Sequence, residues 1–262
     1  MNWLTHGAVH PWLLFPPALC AILLAGLGGR MLGRRRRDPD APASATEHLA
    51  TVQGAITGLM SLMIGFTFSL SLSRFEARRV AVLNEAKAIS VAEERAALLP
   101  SPRASQADRL LAAYLRQRVA LGAEGSRPDL RQRTLATSMA IQHALWIVAI
   151  GGPNTIATRP EGLFVTALND MDDRHQERLA ADQNQVPGAV YLTLYSLAML
   201  ASAYGGFAGG MKGSRGAVSN AVLAVAITTV ITLIIDIDTH GSGFVSVSQQ
   251  PLIDLERPAP AA

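Results

Sequence analysis

Apolar residues gather into four long runs, at 12–29, 52–72, 188–210 and 217–235, and none of the four holds a charged side chain. A helix needs about 20 apolar residues to cross a hydrocarbon core of about 30 Å, so each run predicts a membrane-spanning helix. The first run could instead be read as a secretory signal. Its leading residues MNWLTHGAVH lack the basic start such a signal needs, however, and Arg30 with Arg34 to Arg37 follows it like a stop-transfer flank, which favours a retained span. Pro16 and Pro17 are expected to set its first ordered turn.

Between the second and third runs the pattern changes to a helical period with one polar side. Segment 76–99 places Val82, Ala86, Ile89, Ala92 and Ala96 at helical spacing, and Pro100 and Pro102 end it. Segment 105–121 follows, with Ser105 as N-cap and Leu110, Leu111, Tyr114, Leu115 and Val119 on one face. The turn GAEGSRP leads to 129–150, whose second half (AIQHALWIVAI) stays apolar for only about ten residues, too short to cross a membrane. GGPNT breaks the chain, 161–184 forms a fourth amphipathic helix, and Pro187 separates it from the third span. The one strand-like stretch is 244–248. The pattern predicts an all-α integral membrane protein: a first transmembrane pair in 1–73, a helical extramembrane bundle in 74–187, a second transmembrane pair in 188–236 and a C-terminal tail in 237–262.

Composition supports the membrane assignment. Of the 262 residues 49% are hydrophobic and 16% charged, well below the roughly 25% charged residues of a soluble domain, and mean hydropathy is +0.24. The formal net charge is only +3, and no basic patch interleaved with aromatic residues suggests nucleic acid as a partner. Cys20 is the sole cysteine, which rules out an intramolecular disulfide. Lys and Arg near the membrane divide almost evenly between its two sides, so charge does not orient the chain. GxSxG, Walker, CxxC, HExxH and dinucleotide fingerprints are absent, and an enzyme is not expected.

Candidate chemistry concentrates in 61–79, SLMIGFTFSLSLSRFEARR, where hydroxyls punctuate an apolar run that ends in arginines. A helix that only anchors gains nothing from such serines, whereas one lining a wet cavity or packing on a neighbour does. Gly54 and Gly58 form a small-xxx-small pair, as do Gly205 with Gly209 and Gly206 with Gly210. Gly58, Leu62 and Phe66, continued by Ser69 and Ser73, form a stripe that a symmetric oligomer would turn into a hydrophobic constriction. The plainer account is ordinary helix packing with serines bonded to their own carbonyls four residues back. Asp236 and Asp238 end the fourth span, where the helix dipole is negative. Pairing with Arg74, Arg78 or Arg79, simple hydration, or a bound metal would each relieve them. Asp172 and His175 share a face at i, i+3, a spacing able to chelate but more usual on a solvated surface. His143 beside Trp146 reads as a core or interfacial residue.

The pattern SxxxGFxxxLxxxRF, carried by Ser61, Gly65, Phe66, Leu70, Arg74 and Phe75, resembles the second membrane helix of bestrophins, anion channels in which that helix lines a narrow neck. From about residue 50 to 254 the chain resembles the bestrophin-like family of four-span membrane proteins, through GFTFS, SRFEARR, NEAKAI, ALLP and IDID…GFVSVSQQPLIDL. The resemblance places the neck on Gly58, Leu62 and Phe66, of which only Phe66 carries a ring. Bestrophins hold calcium with acidic residues after the last span, and only Asp236 and Asp238 stand at that place, so calcium is the one ion the resemblance brings into view and no other cofactor is expected. It implies a homo-oligomer, a pentamer, embedded in the lipid bilayer of the cell (inner) membrane and conducting small inorganic anions, with the termini and bundle in the cytoplasm. The alternative, from a different class, is a non-conducting membrane scaffold or sensor whose helical domain binds a partner. A pore needs Leu62 and Phe66 turned to a central axis, whereas a scaffold would bury them between helices of one subunit.

Overall fold

The computed structural model describes residues 10–37, 43–123, 128–151, 159–213, 217–239 and 243–256. Most of the turns GAEGSRP and GGPNT and the end of the C-terminal tail lie outside them. Seven long helices and one short one account for most of the described residues: α1 (Phe15–Arg35), α2 (Ala43–Ala96), α3 (Arg103–Ala123), α4 (Pro128–Ile150), α5 (Arg159–Gln183), α6 (Gly188–Met211), α7 (Ala217–Asp238) and α8 (Gln250–Glu256). No strand occurs among the described residues, so the all-α expectation holds, and the strand-like 244–248 is irregular coil.

Pro16 and Pro17 lie in the first turn of α1 as expected, and a 3₁₀ turn at Pro11–Leu14 precedes it, its Trp12 amide donating to His10 Nδ1 at 3.4 Å. Two local expectations need correction. The second span and the amphipathic segment after it form one continuous helix of 54 residues, because nothing between Leu72 and Glu76 breaks it: Ser73, Arg74 and Phe75 all continue an α-helix. Helix α3 starts at Arg103, two residues ahead of the expected Ser105 cap.

The chain divides into two units, one formed by 1–73 with 185–245 and the other by 74–184 with 246–262. In the first, α1, α6, α7 and the leading part of α2 carry the four candidate membrane spans, and Ile22, Met60, Leu194, Ala198, Ile231 and Ile234 form its core. Lipid offers helices no hydrophobic reason to associate, so contact depends on how closely backbones can approach. Helices α1 and α6 meet through glycine. A methyl on Gly206 would overlap the Gly26 carbonyl, one on Gly29 the Ala203 carbonyl, one on Gly33 the Phe207 carbonyl and one on Gly210 the Arg30 carbonyl. The pair Gly206 and Gly210 therefore does pack as its spacing suggested. Gly205 instead faces Asn220 and Gln53, and Gly209 lines a 140 Å³ hollow beside Gly26, Arg30 and Asn220.

The second unit packs α3, α4, α5, α8 and the trailing part of α2 around Ile89, Ala92, Leu111, Tyr114, Leu145, Phe164, Met171 and Leu252. The expected apolar stripe of Val82, Ala86, Ile89, Ala92 and Ala96 is buried along its whole length.

Gly206→Ala should lower thermal stability in detergent sharply, since the added methyl meets backbone that cannot turn aside. Gly28→Ala, on α1 with nothing within 4 Å of its Cβ position, should be neutral or stabilising by up to about 1 kcal/mol. Equal melting shifts for the two variants would refute the close-contact account.

Candidate pore face and buried charge clusters

Within its span α2 packs along one narrow stripe. Gln53, Ile56, Met60, Met63, Ile64, Thr67 and Ser71 are buried or half-buried, and at about 100° per residue they lie within about 60° of Met60. Gly58, Leu62, Phe66, Ser69 and Ser73 lie about 160° to 240° from Met60, on the far side of the helix, and all are exposed. Phe66 is 65% exposed and Leu62 55%, and nothing approaches the Cβ positions of Gly54, Gly58 or Gly65. The five residues of the sequence stripe thus share the face of α2 turned furthest from its own protomer. The hydroxyls divide: Thr67 Oγ1 donates to the Met63 carbonyl at 2.7 Å on the packed side, and Ser61 Oγ to the Thr57 carbonyl at 2.9 Å on an exposed flank. Back-bonding accounts for these two.

At the end of α7 the carboxylates are buried, Asp236 at 0% and Asp238 at 2% exposure. Asp236 accepts the Phe244 amide on Oδ1 at 3.1 Å and the Val245 amide on Oδ2 at 3.0 Å. Gly243 is required there, because any side chain would collide with that carboxylate. Asp238 Oδ2 accepts the Val186 amide at 2.9 Å and the Tyr191 hydroxyl at 3.0 Å. Backbone amides and a tyrosine, donors that the sequence did not point to, thus take up charge at the negative helix end. Phe244 stacks edge-on against Trp12 at 5.6 Å and His10 at 5.4 Å, holding the loop across the helix end. Of the arginines considered as partners for these carboxylates, Arg74 is half-buried, Arg78 is buried, and Arg79 is exposed and paired with Glu76 at 3.1 Å.

The second unit holds a charge cluster that the sequence reading passed over. Glu85 is fully buried, its Oε1 accepting from Arg118 Nε at 2.6 Å and its Oε2 from Arg178 Nη1 at 2.5 Å. His175 Nδ1 lies 3.5 Å from Oε1, and Arg178 Nη2 donates to Gln249 Oε1 at 2.8 Å. Burial drives the Glu85 carboxyl upward, but His175, Arg118 and Arg178 together outweigh it and hold the group at about 2. Burial also pushes the Tyr114 phenol up, next to the Arg118 guanidinium 5.8 Å over its ring. The signal was present in register: Glu85 interrupts the stripe of Val82, Ala86 and Ile89, Arg118 continues that of Leu111, Tyr114 and Leu115, and Arg178 that of Phe164, Leu168 and Met171. Asp172 and His175 do not act together, since Asp172 is exposed and bonded to Gln142 while His175 turns inward to Glu85. His143 is exposed on α4, not in a core.

Four apolar spans, a buried-charge helical bundle and an outward stripe on the second span define an α-helical integral membrane protein. The family profile of the Bestrophin-like domain matches residues 18–252, and the chain belongs to that family. Neither a curated protein nor a solved structure matches it.

Because the Glu85 carboxyl is depressed in the fold, its contribution to stability is complete above the ordinary carboxyl value of 4.5 and is lost as pH falls from there towards about 2. Glu85→Gln should cost roughly 3 to 5 kcal/mol at neutral pH by stranding two buried guanidiniums. It should also flatten the loss of melting temperature between pH 4.5 and the acid limit, and a variant that keeps the wild-type acid slope would contradict this assignment.

Proposed function

We propose that the protein is an oligomeric channel of the cell membrane that conducts small inorganic anions along the outward face of α2. The observation that carries this is the exposure of Leu62 and Phe66, about 160° and 120° around α2 from the stripe by which it packs on the rest of the chain. A scaffold helix buried between helices of one subunit would cover them. The flanks of that face also differ: Gly54, Ser61 and Gly65 present small side chains on one side, and Val52, Leu59 and Leu70 bulky ones on the other. In a ring of identical copies the small flank of one helix can receive the bulky flank of the next, as a head-to-tail interface requires. Leu62, Phe66 and Ser69 would then remain towards the axis, with the apolar pair forming a constriction that gates by dewetting and the serine wetting the wall beyond it.

One observation favours a non-conducting partner-binding protein. Met139, His143, Ile147 and Ile150 line up on α4 of the second unit, with Met139 and Ile150 each 65% exposed and Ile147 60%. Such a stripe on an extramembrane helix is a docking surface for another chain.

Purified protein in planar bilayers separates the readings. On the channel reading Phe66→Ala widens the constriction and raises single-channel conductance, while stability changes by no more than about 0.5 kcal/mol because the residue is 65% exposed. If wild type and Phe66→Ala both pass no current and the variant loses about 3 to 5 kcal/mol, the ring is buried in packing and the partner-binding reading stands.

A further inference from the structure

The membrane unit keeps a partly open hollow of 140 Å³ among α1, α6 and α7. One water needs only about 10 to 15 Å³ of such space, so the hollow has room for several methylene groups. Leu23, Leu27 and Arg30 of α1 line it at i, i+4 and i+7, facing glycines of α6 and Asn220 of α7. Its polarity runs in one direction. Arg30 stands just past the end of the first apolar run, at the membrane surface, while Leu23 lies seven residues and about 10 Å deeper. Leu27 between them is 54% exposed, which puts the hollow on the lipid-facing boundary of the unit. The charge around it has one sign: the segments that bound and flank it, 26–37, 205–213 and 217–221, hold Arg30, Arg34 to Arg37 and Lys212 and neither Asp nor Glu.

We propose that this hollow is a binding site for an anionic phospholipid, whose phosphate lies on Arg30 and one of whose acyl chains lies against Leu23 and Leu27. A cation at the surface end and apolar walls below it reproduce the order of groups along a lipid. The guanidinium has five N–H donors, so it takes a phosphate oxygen on one edge and still serves a neighbour on another. Asn220 keeps its amide on Ser202, which leaves Arg30 as the group that meets the charge. A hollow left empty forfeits dispersion contacts on every wall, and at a lipid boundary an acyl chain is the material at hand to restore them. The sign of the headgroup follows from the arginines: a choline brought among them meets only like charge, whereas a bare phosphate diester is attracted. The residues of the hollow are not those of the α2 stripe, so its occupancy does not depend on conduction.

The purified chain is stripped of lipid in a neutral detergent, and its thermal unfolding is followed while phosphatidylglycerol, phosphatidylcholine with the same acyl chains, or glycerol phosphate is added. Phosphatidylglycerol should give a saturable rise in melting temperature, with a half-saturating concentration about tenfold below that of phosphatidylcholine, and glycerol phosphate should give none. Arg30→Gln should raise the phosphatidylglycerol midpoint about tenfold, while Arg36→Gln, an exposed residue outside the hollow, should leave it within about twofold. Should Arg30→Gln fail to fold, Ala217→Leu carries the test, because Ala217 is exposed and borders the hollow, where the longer side chain displaces the lipid. In nanodiscs of the two lipids, cryo-EM density for a headgroup is expected at Arg30, continued by a chain along Leu23 and Leu27. Equal response to the two lipids, a full response to glycerol phosphate, an unchanged midpoint in the folded variant, or a side chain of a neighbouring copy in the hollow would each overturn the site. The readouts are melting and lipid position, so a silent bilayer leaves them untouched.

Discussion

Close backbone contact between α1 and α6 is the constraint on which the membrane unit rests. Apolar surface gains nothing by leaving lipid for protein, so helices there hold together by dispersion, by interhelical polar contacts and by the closeness that small residues permit. Gly26, Gly29, Gly33, Gly206 and Gly210 supply that closeness at successive turns, each backbone lying where a side chain of the other helix would otherwise stand. Polar groups tie the remaining helices to this pair. Asn220 of α7 donates to Ser202 at 3.1 Å, and Gln53 of α2 donates to the Ala201 carbonyl at 3.3 Å, both on α6.

Helix α2 is held less broadly than the others, and that follows from the same constraint. Its glycines, Gly54, Gly58 and Gly65, lie off the packed stripe, so within the protomer the contact is made by Met60, Met63 and Thr67 and stays narrow. Among the described residues, the glycine-bearing face of α2 is left uncovered, whereas Gly206 and Gly210 of α6 are buried against α1.

The spans, the all-α class and the stripe on α2 were legible in the sequence because each depends on local periodicity or run length, and both survive in one dimension. The join between the second span and the following helix was not, since change of solvent was read as a change of element while the backbone carries no break at Ser73. The amide donors to Asp236 were hidden for another reason. They come from Phe244 and Val245, and only the fold of the loop at Gly243 brings those amides to the helix end. Glu85, Arg118 and Arg178 were visible as charged residues in apolar register, but a register anomaly names a buried charge without naming its partner. Residues 33 and 93 positions apart had to be brought together before the cluster could be seen.

The two units hold their buried carboxylates with different donors. In the membrane unit, Asp236 accepts two backbone amides, and Asp238 accepts an amide and a tyrosine hydroxyl, at the end of a span. In the bundle, Glu85 takes two full cations, Arg118 on one oxygen and Arg178 on the other. Replacing the cluster with apolar residues would fill the same space at lower electrostatic cost, so packing alone does not account for it. What an apolar core could not do is fix a register: Glu85 of α2 meets one arginine from α3 and one from α5, and removing any of the three strands the others, so the cluster ties the three helices to a single alignment.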